Sequence, residues 1–210
     1  MPLYRTYRKG ELVVGIWKVE ETIEELRARL DHFSLYEDDF MKLKADKRKQ
    51  EWLSVRVLLK ELLKEEKKII YHSSGKPSLE DGSAKVSFSH TVGYVAVAIH
   101  PTQEVGIDIE QYATRVQRLA SRFVRPDEQT SVESGDEVYV LLLHWSAKET
   151  MFKLMNQSDV DFIDHLRIAP FVLQDAGDLT AYEYRTDKHQ QVHIDYCIHP
   201  DYVLTYSCVE

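Results

Sequence analysis

Val105-Gly106-Ile107-Asp108-Ile109-Glu110 is the stretch on which the fold turns. Val105, Ile107 and Ile109 alternate with Gly106, Asp108 and Glu110, the period-two pattern of a β-strand with one apolar face. Residues two apart in a strand share a face, so both carboxylates project from one side while the isoleucines turn toward the core. Like charges at that spacing repel unless protons or a cation intervene, and oxygen donors suit hard cations such as magnesium. By itself the Asp-x-Glu pattern equally suits the solvent-facing edge of a half-buried strand.

Toward the N-terminus, Pro101-Thr102-Gln103-Glu104 reads as a turn, preceded by short strands at Tyr94–His100 and Lys85–Ser89. Ser73-Ser74-Gly75-Lys76-Pro77 is a loop by its turn chemistry. Trp52, Val55, Leu59 and Leu62 recur at helical spacing, predicting a helix over Asp46–Leu63 with basic residues on its other faces. Thr22 and Glu25 form a capping-box pattern at the start of an earlier helix, after a buried strand at Leu12–Val19. Toward the C-terminus, Arg115–Phe123 reads as helical, Pro126-Asp127-Glu128 as the start of a further helix, and Asp136–Leu154 as one long helix. Leu166–Glu210 is strand-rich, with turns near Asp175-Ala176-Gly177, Asp187-Lys188 and His199-Pro200-Asp201. The expected fold class is α+β, in two similar lobes spanning 1–103 and 104–210.

The bulk numbers agree. A chain of 210 residues, 43% hydrophobic and 30% charged, has the composition of a globular protein and length enough for two lobes. No apolar run reaches the roughly 20 residues of a membrane span. The N-terminus lacks an apolar core followed by a small-residue cleavage site. The two cysteines, Cys197 and Cys208, make no disulfide framework and are read as free thiols in a cytoplasmic protein. A net charge of -8 argues against a general nucleic-acid binder. Between Lys42 and Lys68, however, ten Lys or Arg stand against five Asp or Glu, which suits an anionic ligand or an acidic partner as well as a solvated helix face.

Two further fragments carry chemistry. Glu149 and Lys153 are four apart on the long helix and share a face, with Trp145 and Phe152 nearby; such a pair is also an ordinary ion pair. Phe88-Ser89-His90 ends a short strand, with Lys76 in the loop upstream. A hydroxyl, an imidazole and an ammonium suit a phosphate cradle, and His90 equally suits a strand-end histidine satisfied by local hydrogen bonds. A Ser–His hydrolase is disfavoured because adjacent residues point to opposite sides of a strand.

Taken in order, Gly75-Lys76-Pro77, Val86-Ser87-Phe88-Ser89-His90-Thr91, Val105–Glu110 and Trp145-Ser146-Ala147-Lys148-Glu149-Thr150-Met151-Phe152-Lys153 resemble the Sfp-type 4′-phosphopantetheinyl transferases. The resemblance implies a monomer of two α+β lobes related by a pseudo-twofold axis, with the site at their junction. It implies transfer of the phosphopantetheine arm of coenzyme A to a serine of an acyl or peptidyl carrier protein, with magnesium, releasing 3′,5′-ADP. Asp108, Glu110 and Glu149 would be the metal ligands, and Glu149, Lys153 and His90 the catalytic set. Lys76, Ser89 and His90 would hold cofactor phosphates, and Lys47, Arg48 and Arg56 would line the adenine and 3′-phosphate pocket. The N-terminal lobe would then carry the coenzyme A contacts, and the C-terminal lobe the carboxylates and catalytic helix.

Three positions depart from the family pattern. Thr91 stands where a second serine is usual, Thr150 replaces an alanine, and Leu154-Met155-Asn156-Gln157-Ser158 lacks the glycines that follow the final lysine. The last departure motivates an alternative of a different class, a coenzyme A-binding homologue without turnover. A third reading, another magnesium-dependent phosphotransferase, finds no Walker loop or kinase catalytic loop to support it. Which carrier protein is served is not encoded in any of these motifs.

Overall fold

The computed structural model describes residues 3–128, 136–155, 157 and 159–209. The chain divides into two compact units, Met1–Gln103 and Glu104–Glu210, and its class is mixed α+β.

In the first unit, β1 (Leu3–Lys9) and β2 (Leu12–Lys18) form a hairpin. It is followed by α1 (Ile23–Ala28), a 3-10 turn, α2 (Glu37–Met41) and α3 (Asp46–Leu63). A small hairpin of β3 (Ile69–Tyr71) and β4 (Pro77–Leu79) leads into β5 (Lys85–Thr91) and β6 (Tyr94–His100). The main sheet is antiparallel in the order β1-β2-β6-β5. The predicted capping box is present: Glu25 N–H donates to Thr22 Oγ1 at 3.2 Å, and Thr22 N–H to Glu25 Oε2 at 2.8 Å. Helix α3 spans the predicted residues and buries Trp52, Leu53, Val55, Leu58 and Leu59 against Trp17, Val95 and Val97. It lies close on β2, where a Cβ on Gly15 would meet Leu62 Cδ1 at 2.9 Å.

The second unit begins with β7 (Glu104–Gln111). It continues through α4 (Val116–Leu119), a 3-10 turn and α5 (Glu137–Met155). Then come β8 (Leu166–Ile168), β9 (Ala176–Glu183), β10 (Gln191–His199) and β11 (Tyr202–Val209). The sheet is antiparallel in the order β7-β11-β10-β9-β8. Helix α5 packs across it, burying Leu143, Ala147 and Met151 with Leu166, Leu179, Ile194 and Val203. Asp136 caps the helix, its Oδ1 accepting from Val138 N–H at 2.8 Å. Among the described residues no helix is long and apolar enough to cross a membrane, and both cysteines are free.

Several local features differ from the sequence expectations. Strand β1 carries no hydrophobic alternation; as the edge of its sheet it is held by pairing with β2, so its side chains need not be apolar. Residues 115–123 break into a short helix and a 3-10 turn. Pro126-Asp127-Glu128 lies in a turn, and any helix after it falls in 129–135, outside the described residues; so do Asn156 and Ser158 of the glycine-poor stretch.

The most consequential difference concerns β7. Gly106, Asp108 and Glu110 pair with Ser207, Thr205 and Val203 of β11, and Val203 belongs to the core that α5 covers. The carboxylates therefore share the helix-covered face, while Ile107 and Ile109 are buried on the reverse face and are not members of that core. Amphipathic alternation identifies two faces but does not say which one receives the helix. What selects it is Gly106: an added Cβ would stand 2.4 Å from the Thr150 carbonyl oxygen of α5 and 2.8 Å from Leu154 Cγ.

Gly106→Ala should therefore destabilise the protein by about 3 kcal/mol, the upper end of overpacking costs, because a backbone oxygen cannot step aside. Gly15→Ala, which meets only the tips of two flexible leucines, Leu62 and Leu58, should cost about 1 kcal/mol on the same scale. Urea unfolding of both variants measures the difference, and equal losses would contradict the close approach of β7 and α5.

Candidate active site

Four of the singled-out residues come together in the second unit. Asp108 and Glu110 leave β7 on the α5 face, and Glu149 and Lys153 leave α5 one turn apart. Lys153 Nζ donates to Asp108 Oδ1 at 2.8 Å and to the Ile107 carbonyl at 2.8 Å. Trp145 Nε1 donates to Glu110 Oε1 at 2.7 Å. The helix is held in register by hydroxyls: Ser146 Oγ and Thr150 Oγ1 lie 2.8 and 2.7 Å from Thr205 Oγ1, across from Asp108. Thr150, a departure from the family pattern, is thus bonded to the strand beside β7.

The electrostatics follow from crowding three carboxylates beside one ammonium. Burial and then the charge of Asp108 push the Glu149 carboxyl up to about 7, Lys153 opposing and Glu110 adding to the rise. Glu110 is raised for the same two leading reasons, with the Trp145 bond pulling the other way. Among the described residues, no three His, Cys, Asp or Glu side chains are gathered into a ready-made ion cage. The donor chemistry nevertheless fits a hard divalent cation. Asp108, Glu110 and Glu149 offer carboxylate oxygens, and their mutual repulsion is what such a cation would relieve.

Lys148, adjacent to Glu149, has a different environment. Its side chain is 0% exposed, and Nζ donates to the Phe123 carbonyl (2.6 Å), Glu128 Oε2 (2.9 Å) and the Phe162 carbonyl (3.0 Å). Glu128 in turn accepts from the backbone N–H groups of Arg125 (2.7 Å) and Ile168 (2.6 Å). All three ammonium donors are satisfied, so Lys148 anchors the segments that flank α5. No spacing pattern marks this partnership, because Glu128 is 20 residues away in a turn.

The first unit gathers a second group. Arg48 Nη1, from α3, donates to His90 Nε2 on β5, which leaves the imidazole proton of the neutral form on Nδ1. Glu51, one turn along α3, lies beside both: its Oε2 is 3.5 Å from Arg48 Nη1 and 3.7 Å from His90 Nδ1, while Lys47 Nζ is 4.0 Å from Oε1. Lys47, Arg48 and His90 are thus brought together around an acidic residue that the sequence reading passed over. Its signal was the i,i+3 and i,i+4 spacing to Arg48 and Lys47. Ser89 neighbours His90 on β5 and faces the other side of the strand. Lys76 is half-buried in the loop between β3 and β4, its carbonyl accepting from His72 N–H at 3.0 Å.

Arg56 is placed differently. It is 3% exposed, with its guanidinium carbon 3.1 Å from the Trp52 ring centroid and 5.3 Å from that of Tyr36. Its Nη1 donates to the Trp52 carbonyl at 3.1 Å, and burial lowers its pKa to about 10. It is enclosed in the packing of α3, whereas Lys47 and Arg48 are open to solvent.

Residues 104–207 match the family model described as the 4′-phosphopantetheinyl transferase superfamily. No curated protein matches the chain.

Because the folded-state pKa of Glu149 lies above its ordinary value of 4.5, its folded form holds a proton that the unfolded form has released. The contribution of Glu149 to stability should therefore fall as pH rises from 4.5 toward about 7. In the presence of a chelator, Glu149→Gln should raise the thermal midpoint at pH 8 and change it little at pH 4. The comparison is read by calorimetry at the two pH values, and a destabilised variant at pH 8 would refute the crowding described here.

Proposed function

From the premise that this chain belongs, by residues 104–207, to the 4′-phosphopantetheinyl transferase superfamily, we propose that it moves the 4′-phosphopantetheine arm of coenzyme A onto a serine of an acyl or peptidyl carrier protein, releasing 3′,5′-ADP in a magnesium-dependent reaction. The observation that carries the proposal is the meeting of Asp108, Glu110, Glu149 and Lys153 on one face of the β7–α5 pair.

In this reaction the serine oxygen bonds to the β-phosphorus while the bond from that phosphorus to the bridging pyrophosphate oxygen breaks. Charge on the pyrophosphate must be neutralised and the nucleophile held in line. Asp108, Glu110 and Glu149 would hold magnesium, which would supply Lewis-acid neutralisation of the pyrophosphate. Glu149 is the residue that would take the serine proton, directly or through a water. Lys153, whose ammonium donates to Asp108, would stabilise or protonate the departing phosphate oxygen. In the first unit, Lys47, Arg48 and His90 offer a cationic group suited to phosphate oxygens, with Lys76 and Ser89 as further donors. Enclosed by Trp52 and Tyr36, Arg56 serves this reading best by packing α3.

Incubating the protein with apo-carrier, coenzyme A and magnesium should add one phosphopantetheine mass to the carrier. Asp108→Ala should reduce turnover by at least about a hundredfold, the scale of losing one centre of transition-state charge stabilisation. Lys47→Ala should chiefly weaken coenzyme A binding. Mass spectrometry and calorimetry read these outcomes. Absence of transfer to a panel of carriers by folded protein that binds coenzyme A would favour a binding homologue without turnover.

A further inference from the structure

The structure points to Trp145 as a positioning residue: we propose that its indole N–H fixes the Glu110 carboxylate in the orientation from which it serves a divalent cation. The inference rests on the metal reading above and adds a residue to it.

An indole has one donor and no acceptor, and here that donor is committed to Glu110 Oε1 at 2.7 Å, in the short range of hydrogen bonds to a charged acceptor. The ring itself is held in place. Phe123, 1% exposed, meets it edge-on at 5.3 Å between centroids, and Phe162 packs on it at 5.4 Å. Phe162 is in turn backed by Phe152 at 6.3 Å. The indole is walled by two aromatic rings, so the direction of its N–H is set by packing.

The two strand carboxylates are therefore each oriented by a donor from α5, and the donors differ in kind. Asp108 receives the Lys153 ammonium, which neutralises as it orients. Glu110 receives a neutral N–H, which fixes one oxygen without cancelling the charge. A neutral orienting donor preserves the full attraction of the carboxylate for a cation, the arrangement expected of a residue that supports a metal ligand from behind. Trp145 lies 35 residues from Glu110 in sequence, so spacing alone does not reveal the pair.

Trp145→Phe deletes the donor and keeps an aromatic ring in the row. Mn2+ binding to the ligand-free protein, followed by electron paramagnetic resonance, should weaken about tenfold in this variant, the scale of losing an outer-shell partner of a ligand. Its far-UV circular dichroism should match the wild type. Affinity indistinguishable from the wild type in folded Trp145→Phe would overturn the inference. Should that variant fail to fold, Phe162→Leu removes one wall of the indole; weakened Mn2+ binding supports the role and unchanged binding overturns it. Failure of the wild-type protein to bind Mn2+ would defeat the metal reading itself, and this inference with it. Normal wild-type binding with unaltered variants defeats only the role of Trp145.

Discussion

The second unit depends on how closely α5 can approach β7. A glycine at 106 lets the Thr150 carbonyl oxygen occupy the space that any other residue would fill with Cβ. Ser146 and Thr150 complete the approach with hydroxyl contacts to Thr205. Small residues and hydroxyls at a helix–strand seam are poor at burying apolar area, so this edge of the unit is purchased in geometry. Its return is that long side chains from the helix reach the strand: Lys153 meets Asp108, and Trp145 meets Glu110.

That geometry carries an electrostatic cost. Three carboxylates share a partly dry face with one ammonium in contact, and the resulting repulsion raises Glu110 and Glu149 above their ordinary range. A fold selected only for stability would replace one of them with a neutral residue. Retained repulsion of this kind concentrates where a site has to bind an opposite charge or move a proton. The destabilisation and the proposed chemistry are the same interaction seen without and with its counterion.

Much of this was legible in the sequence, and the limits are instructive. Helix α3 was readable to its ends because its apolar residues repeat at helical spacing up to Leu62, while β7 was readable from its alternation. The sharing of one face by Glu149 and Lys153 followed from their spacing. What spacing could not supply was the partner of each face. The alternation in β7 gave two faces, and only the contact of Gly106 with α5 showed that the carboxylates lie under the helix. Strand β1 escaped notice because an edge strand can be specified by its neighbour's hydrogen bonds alone. Arg56 read like Arg48, since both are cations on α3. Their difference lies in Trp52 and Tyr36, which enclose one and leave the other open.

The same contrast separates two neighbours on α5. Lys148 and Glu149 are consecutive, so they leave the helix about 100° apart at 3.6 residues per turn. Lys148 enters a pocket where two carbonyls and a carboxylate satisfy all its donors. Burial lowers the Lys148 pKa, but Glu128 opposes that shift and each ammonium donor has a partner. Glu149 turns toward Asp108 and Glu110, where its charge is opposed and its proton is held near neutrality. A charge whose surroundings complete it is structural. A charge crowded by like charges is one that a counterion would relieve, and on this helix a single step of the chain separates the two.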